Sequence, residues 1–186
     1  GSISAVDVNV ATFAGSFWRA TGNASTTPGT HLLGTTDNQP LELKVNNTRV
    51  LRLEPNGGCP NFIGGYPDNV VSNGFWGATI SGGGGVGTAK NTVGGSYGTI
   101  GGGAFNKVIG SYGVVGGGAE NVAGSADATI GGGVLNEAGE DATVGGGRGV
   151  VLVGDNLAVI NSYISGWWDN DADTQGVFVY NFADTI

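Results

Sequence analysis

The sequence predicts an all-β protein. Its centre is a glycine-rich parallel β-roll, or solenoid, with coils of about 14–20 residues, flanked by an N-terminal β-hairpin module and a C-terminal β cap. Three observations predict this. Glycine supplies 39 of the 186 residues and falls in triplets, where each one in a helix costs about 1 kcal/mol relative to alanine. Val, Ile and Thr recur throughout while charged residues make up only 12%, the reverse of the composition that keeps a chain disordered. A short motif, an apolar residue followed by Gly-Gly and then Asn, returns at a nearly constant interval.

The N-terminal module spans residues 1–55. Its stretch from Thr21 to Gln39 is rich in turn signals, among them Pro28-Gly29 and Asp37-Asn38. Leu41-Glu42-Leu43-Lys44-Val45 and Leu51-Arg52-Leu53-Glu54 then alternate apolar with polar residues, the period of half-buried strands. A three-residue loop between them pairs Leu43 with Leu51, Leu41 with Leu53 and Glu42 with Arg52. That register keeps one face apolar and sets opposite charges across the strands, which a two-residue loop does not. A hairpin over residues 41–54 is therefore expected.

Residues 56–148 carry the repeat. Ile63-Gly64-Gly65 is followed by Asn69, Ile100-Gly101-Gly102-Gly103 by Asn106, Val115-Gly116-Gly117-Gly118 by Asn121, and Ile130-Gly131-Gly132-Gly133 by Asn136. Val144-Gly145-Gly146-Gly147 lacks the Asn, and Ile80-Ser81-Gly82-Gly83 lacks both one Gly and an Asn at that offset. The copies are phased at Gly64, Ser81, Gly101, Gly116, Gly131 and Gly145, so the spacing runs 17, 20, 15, 15, 14. A period near 15 is too short for a helical hairpin or a propeller blade, which take roughly 34–45 residues, and suits two short strands joined by two turns. Gly and Asn are assigned to the positive φ of those turns. Ile80, Ile100, Val115, Ile130 and Val144 are expected to form one inward column, and Val108, Val122 and Ala138 a second. Such an interior buries few and small side chains against the entropy of ordering each coil, so association of identical chains into a symmetric oligomer is expected.

Residues 149–186 return to strand-like runs, Gly149-Val150-Val151-Leu152-Val153, Leu157-Ala158-Val159-Ile160 and Gly176-Val177-Phe178-Val179-Tyr180. Trp167-Trp168 and an acidic loop with Asp169, Asp171 and Asp173 lie between them. An aromatic end is what a solenoid needs to cover its last coil.

Several function classes find no support in the residues. The net charge is −8 with no basic run, so nucleic acid and anionic membranes have no electrostatic footprint, and no apolar run is long enough to span a bilayer. Cys59 is the one cysteine and His31 the one histidine. A catalytic triad would depend on His31, which sits in a Pro/Gly-bounded turn, and zinc has too few ligands. No Asp column of the calcium-binding β-roll type exists, and the acidic loop 169–173 lacks the later Gly and Glu of a calcium loop. Glu120, Glu137, Glu140, Asp127 and Asp141 fall near the turns and are read as solubilising. No catalytic, cofactor or metal residues are assigned, and the chain is expected not to be an enzyme. Candidate partner contacts are the aromatics Tyr97, Tyr112, Trp167 and Trp168. Thr79, Thr99, Thr129 and Thr143 form a threonine column that Val114 interrupts, a weaker version of the surface of an ice-binding solenoid. A polysaccharide-cleaving spike is the remaining alternative.

The run Ala128-Thr129-Ile130-Gly131-Gly132-Gly133-Val134-Leu135-Asn136-Glu137-Ala138-Gly139 resembles the head repeats of trimeric autotransporter adhesins of the YadA type, although those usually read Ala-x-Gly where this chain has Gly triplets. Phe17-Trp18-Arg19-Ala20-Thr21-Gly22-Asn23 and the segment from Leu33 to Asn46 are similar to a module of phage tail fibres and fibre-like bacterial surface proteins. The resemblances imply a left-handed parallel β-roll and three copies packed into an adhesive head, a homotrimer. They imply an extracellular place on a cell surface or virion fibre, with a host-surface glycan or protein as partner. They also imply no catalytic site in these modules.

Overall fold

The structure, a computed structural model, describes residues 22–149 together with 151–152 and 158–159. The chain divides into two units between Asp37 and Asn38. In the first, residues 22–37 run through turns. The Pro28-Gly29 signal closes one of them: Thr30 and His31 both donate backbone N–H groups to Thr27 O, at 3.1 and 3.0 Å, and Gly29 takes a φ of 81°.

The second unit is all-β among the described residues, a parallel β-solenoid of about six turns. It is preceded by an antiparallel pair, β1 (Leu41–Val45) and β2 (Thr48–Glu54), and by β3 (Asn61–Gly64), which opens the first coil. Thereafter two-residue strands alternate between two sheets: β4 (Val70–Val71), β5 (Thr79–Ile80), β6 (Thr92–Val93), β7 (Thr99–Ile100), β8 (Lys107–Val108), β9 (Val114–Val115), β10 (Val122–Ala123), β11 (Thr129–Ile130), β12 (Glu137–Ala138), β13 (Thr143–Val144), β14 (Val151–Leu152) and β15 (Ala158–Val159). The first sheet runs β1-β2-β3-β5-β7-β9-β11-β13-β15 and the second β4-β6-β8-β10-β12-β14. From β3 onward every pairing is parallel and in register, Thr79 beside Thr99 and Ile80 beside Ile100, for example. Isolated parallel bridges Ala104–Ala119–Val134–Arg148 add a third line of stacking at the glycine-rich turn.

The antiparallel pair keeps the three expected partners, Leu41 with Leu53, Glu42 with Arg52 and Leu43 with Leu51. Its loop differs from the expected three residues. The register shifts beyond Leu43, so that Lys44 meets Arg49 and Val45 meets Thr48. The turn is the two residues Asn46-Asn47, both at positive φ (47° and 57°), as the two-residue turn that matches strand twist requires. Val50 is the extra residue, a β-bulge that reconciles a short turn with the favoured apolar register.

Inside the coils the first sheet points Ile63, Ile80, Ile100, Val115, Ile130 and Val144 inward, all buried. The second contributes Val71, Val93, Val108, Ala123 and Ala138. In this column Ala123 takes the place that the sequence reading gives to Val122. The reason is alternation: Asn121 already points inward, so its neighbour Val122 faces out, half-buried, and Ala123 faces in. A third column precedes the first sheet's strands: Ala78, Gly98, Gly113, Ala128 and Ala142 are all buried.

The asparagines of the coils are not the positive-φ residues of their turns. Asn69, Asn91, Asn106, Asn121 and Asn136 are buried and stacked. Asn106 Oδ1 accepts from Asn121 N at 3.1 Å, and Asn121 Oδ1 accepts from Asn136 N at 3.0 Å. Each Nδ2 donates to a glycine carbonyl of its own turn and one of the next coil, as Asn121 does to Gly117 O at 3.0 Å and Gly133 O at 2.9 Å. Positive φ falls instead on the preceding residue, Phe105 (58°), Glu120 (57°) or Leu135 (59°), and on the third glycine, such as Gly103 (79°). At the first glycine the need is space, since a Cβ on Gly101 would collide with Gly116 O of the next coil.

The ladder also runs through the coil whose motif has no Asn at the usual offset. That coil, from Ser81 to Gly101, is longer than its successor, from Gly101 to Gly116. Asn91, beyond the excursion, donates to Gly82 O at 3.2 Å and Gly103 O at 3.0 Å. Val86 stands at the tip of the excursion, 90% exposed. Counting apolar side chains alone therefore understates the interior. Hydrogen-bonded asparagines fill it as well, and the coils close within one chain.

Candidate functional site

Three regions of the second unit present features beyond packing. The first is the corner that leads from the second sheet back to the first. Tyr97, Tyr112, Asp127 and Asp141 occupy equivalent places there on successive coils, at φ 59°, 59°, 55° and 53°. Their backbone N–H groups donate to the preceding coil: Tyr97 to Trp76 O at 2.9 Å, Tyr112 to Ser96 O at 2.9 Å, Asp127 to Ser111 O at 3.0 Å and Asp141 to Ala126 O at 3.2 Å. Left-handed backbone at a tyrosine costs about 1–2 kcal/mol, and stacking offsets part of it. The two rings lie 5.1 Å apart at 8°, an arrangement worth about 0.5–1.5 kcal/mol.

The structure thus brings together two of the four aromatic candidates. Tyr97 and Tyr112 are 41% and 56% exposed. They turn faces toward each other, and the other side of Tyr97 lies over Gly77, where a Cβ would come within 2.7 Å of Tyr97 Cδ1. What the pair offers a partner is ring edge and phenolic hydroxyl. Trp76, exposed on the preceding coil, accepts the Tyr97 N–H through its backbone carbonyl, and its ring lies against Gly58. It is not among the sequence candidates. Its signal is its phase: it holds on its coil the place that Ser96 holds on the next, each accepting the N–H of the corner tyrosine one coil on. Trp167, Trp168 and the acidic loop 169–173 lie outside the described residues.

The second region is a groove of about 590 Å³ between the antiparallel pair and the first coil, lined by Glu42, Lys44, Arg49, Arg52, Glu54 and Asp68 among others. Arg49 donates to Pro67 O and, at 3.2 Å, to Asn69 O, covering carbonyls at the free edge of β4. Arg52 meets Glu54 at 2.8 Å and Glu42 at 3.6 Å. Three cations, Lys44, Arg49 and Arg52, line the groove with three acids, Glu42, Glu54 and Asp68, so it carries no excess of either sign for a charged ligand. Among the described residues no group of three or more His, Cys, Asp and Glu could hold a metal ion. Cys59 is an exposed thiol, and His31 Nδ1 accepts from Thr27 N at 2.9 Å, closing its own turn.

The third region is the outward face of the first sheet. Phe62, Thr79, Thr99, Val114, Thr129 and Thr143 stand there in register. The threonine column is real, with Val114 interrupting it and Phe62 beginning it. The equivalent outward positions of the second sheet are Val70, Thr92, Lys107, Val122 and Glu137. One face of the solenoid is therefore uncharged among the described residues, while the other carries charges of both signs.

No family model, curated protein or solved structure matches the chain.

Proposed function

We propose that this chain is a segment of a trimeric surface or tail fibre, a rigid spacer that makes contacts with a glycan or protein of a cell surface and catalyses nothing. The observation that carries the reading is the stacked asparagine ladder inside in-register coils. Each coil adds about 4.8 Å along one axis and holds it with satisfied buried amides. This suits a molecule that must keep length and direction while offering turns and loops along its sides. Because the coils close within one chain, further copies are not needed to complete the interior. Support for association comes instead from the uncharged outward face of the first sheet.

Light scattering on the full chain tests the reading: a mass three times 18.5 kDa is expected, and a monomer at micromolar concentration overturns it. One observation favours a second reading, ice binding: Thr79 and Thr99 stand side by side, as do Thr129 and Thr143, on a parallel ladder. Thermal hysteresis that disappears in Thr129→Lys would favour that reading over the fibre.

A further inference from the structure

The antiparallel pair turns its faces the unexpected way. Its pairing sets Leu41, Leu53 and Phe62 in one row across β1, β2 and β3, and Leu43 and Leu51 in the next. Glu42, Lys44, Arg52 and Glu54 occupy the other face and line the groove toward the first coil. The face that could have laid leucines over the open coil end, next to Ile63 and Val71, is the charged one. The apolar face looks away from the solenoid: Leu43 is 44% exposed, Phe62 40% and Leu53 38%. A one-residue slip of register would exchange the two faces. The bulge at Val50 holds the pair in the arrangement that leaves the leucines uncovered.

We propose that this face is where copies of this chain meet, the leucines and Phe62 of each facing those of its neighbours about a shared axis. The inference rests on the fibre reading and adds the place of contact. Contiguous exposed apolar residues on a sheet mark an interaction surface; the fibre reading makes the partner another copy, and the charge distribution limits which face the copies can share. Identical chains of net charge −8 repel one another, and they approach most readily through a face without charge. The patch is such a face. It runs on without a charged residue through Thr79, Thr99, Val114, Thr129 and Thr143, so two rods in contact at the patch can lie side by side along the same face.

The test compares the masses of the full chain and of two single variants, Leu43→Lys and Phe62→Lys, with circular dichroism as the check on folding. Both positions are exposed in the single chain, so each lysine is compatible with the monomer fold, and each is expected to reduce the assembly to 18.5 kDa with an unchanged spectrum. Leu43→Ser removes the apolar contact without adding charge and is expected to raise the concentration at which the assembly dissociates at least tenfold. If the unaltered chain assembles and none of the three changes its mass or dissociation, the proposed place of contact is wrong while the fibre reading stands. If the unaltered chain is a monomer, both fall.

Discussion

Two halves of the same solenoid fill one interior in different ways. In the earlier coils Val93 and Val108 project from the second sheet, and the column opposite is glycine: a Cβ on Gly98 would lie 2.6 Å from Val93 Cγ1 and 2.9 Å from Val108 Cγ1. In the later coils the second sheet contributes Ala123 and Ala138, and the opposite column becomes Ala128 and Ala142, all fully buried. Valine with glycine has given way to alanine with alanine. Gly98 and Gly113 do not take positive φ, so their requirement is volume and not backbone conformation. From β6 onward the difference teaches that the coil has a fixed cross-section: what stays constant is the sum across two columns, not the residue in either, whereas the opening coil, at the end of the stack, holds both larger residues, Val71 and Ala78. The corner changes at the same point, with Tyr97 and Tyr112 on the valine side and Asp127 and Asp141 on the alanine side.

The asparagine ladder is common to both halves, and breaking it is expected to have the largest effect. Asn106→Ala and Asn121→Ala each remove a side chain that accepts one backbone N–H and donates to two glycine carbonyls. Each is expected to cost about 3 kcal/mol, because several inward polar groups lose their partners together. Urea denaturation of the two variants checks this. Equal losses are expected if the ladder serves both halves alike. A loss under about 1 kcal/mol, the net worth of a single ordinary hydrogen bond, would show that the amides are not what holds the rungs.

A smaller effect sharpens the volume argument. Ala123→Val is expected to destabilise by about 1–2 kcal/mol through overpacking against the alanine column. Adding Ala128→Gly converts that coil to the valine–glycine arrangement and is expected to recover most of the loss. The coupling in this double-mutant cycle is the measurement. Additive losses would mean that the two columns do not share one space.

The smallest change is expected at the corner. Tyr112→Asn gives up the ring stack with Tyr97, worth about 0.5–1.5 kcal/mol, and gains a residue that tolerates left-handed backbone. The net change is expected to stay within about 0.5 kcal/mol by thermal denaturation, the range of an ordinary surface substitution. A loss above about 2 kcal/mol, more than a ring pair supplies, would make the tyrosine pair part of the scaffold and remove it as a contact surface.

The coil period and the first inward column could be read from the sequence, because glycine triplets punctuate a chain in which Ile or Val precedes each one. The second column is displaced by one residue at Val122, since the asparagine beside it reads as a turn residue when it is an interior one. The same assumption hides Asn91: a ladder position tolerates an excursion before it, and a turn residue at fixed offset would not. The register of Leu41, Leu43, Leu51 and Leu53 follows from alternation, whereas the bulge at Val50 depends on the competing demand of a tight Asn46-Asn47 turn. Of the aromatic surface, the interval between Tyr97 and Tyr112, equal to that between Gly101 and Gly116, is visible in the sequence, but the mutual stacking is not. Which way a ring leans is set by Gly77 on the coil before it, a relation between coils that a linear pattern does not carry.

The excursion in the longest coil has a consequence for how such a molecule acquires new binding behaviour. Chain leaves the stack after Gly84, whose N–H donates to Gly103 O, and is back in it at Ala89, whose carbonyl accepts from Phe105 N, so that Asn91 keeps the amide bonds of the rung intact. Added sequence at that corner neither bends the rod nor shifts the phase of later rungs. The corners before Asn106, Asn121 and Asn136 share one construction, so each is a place where chain of another length and composition can be spliced while the shaft stays as it is.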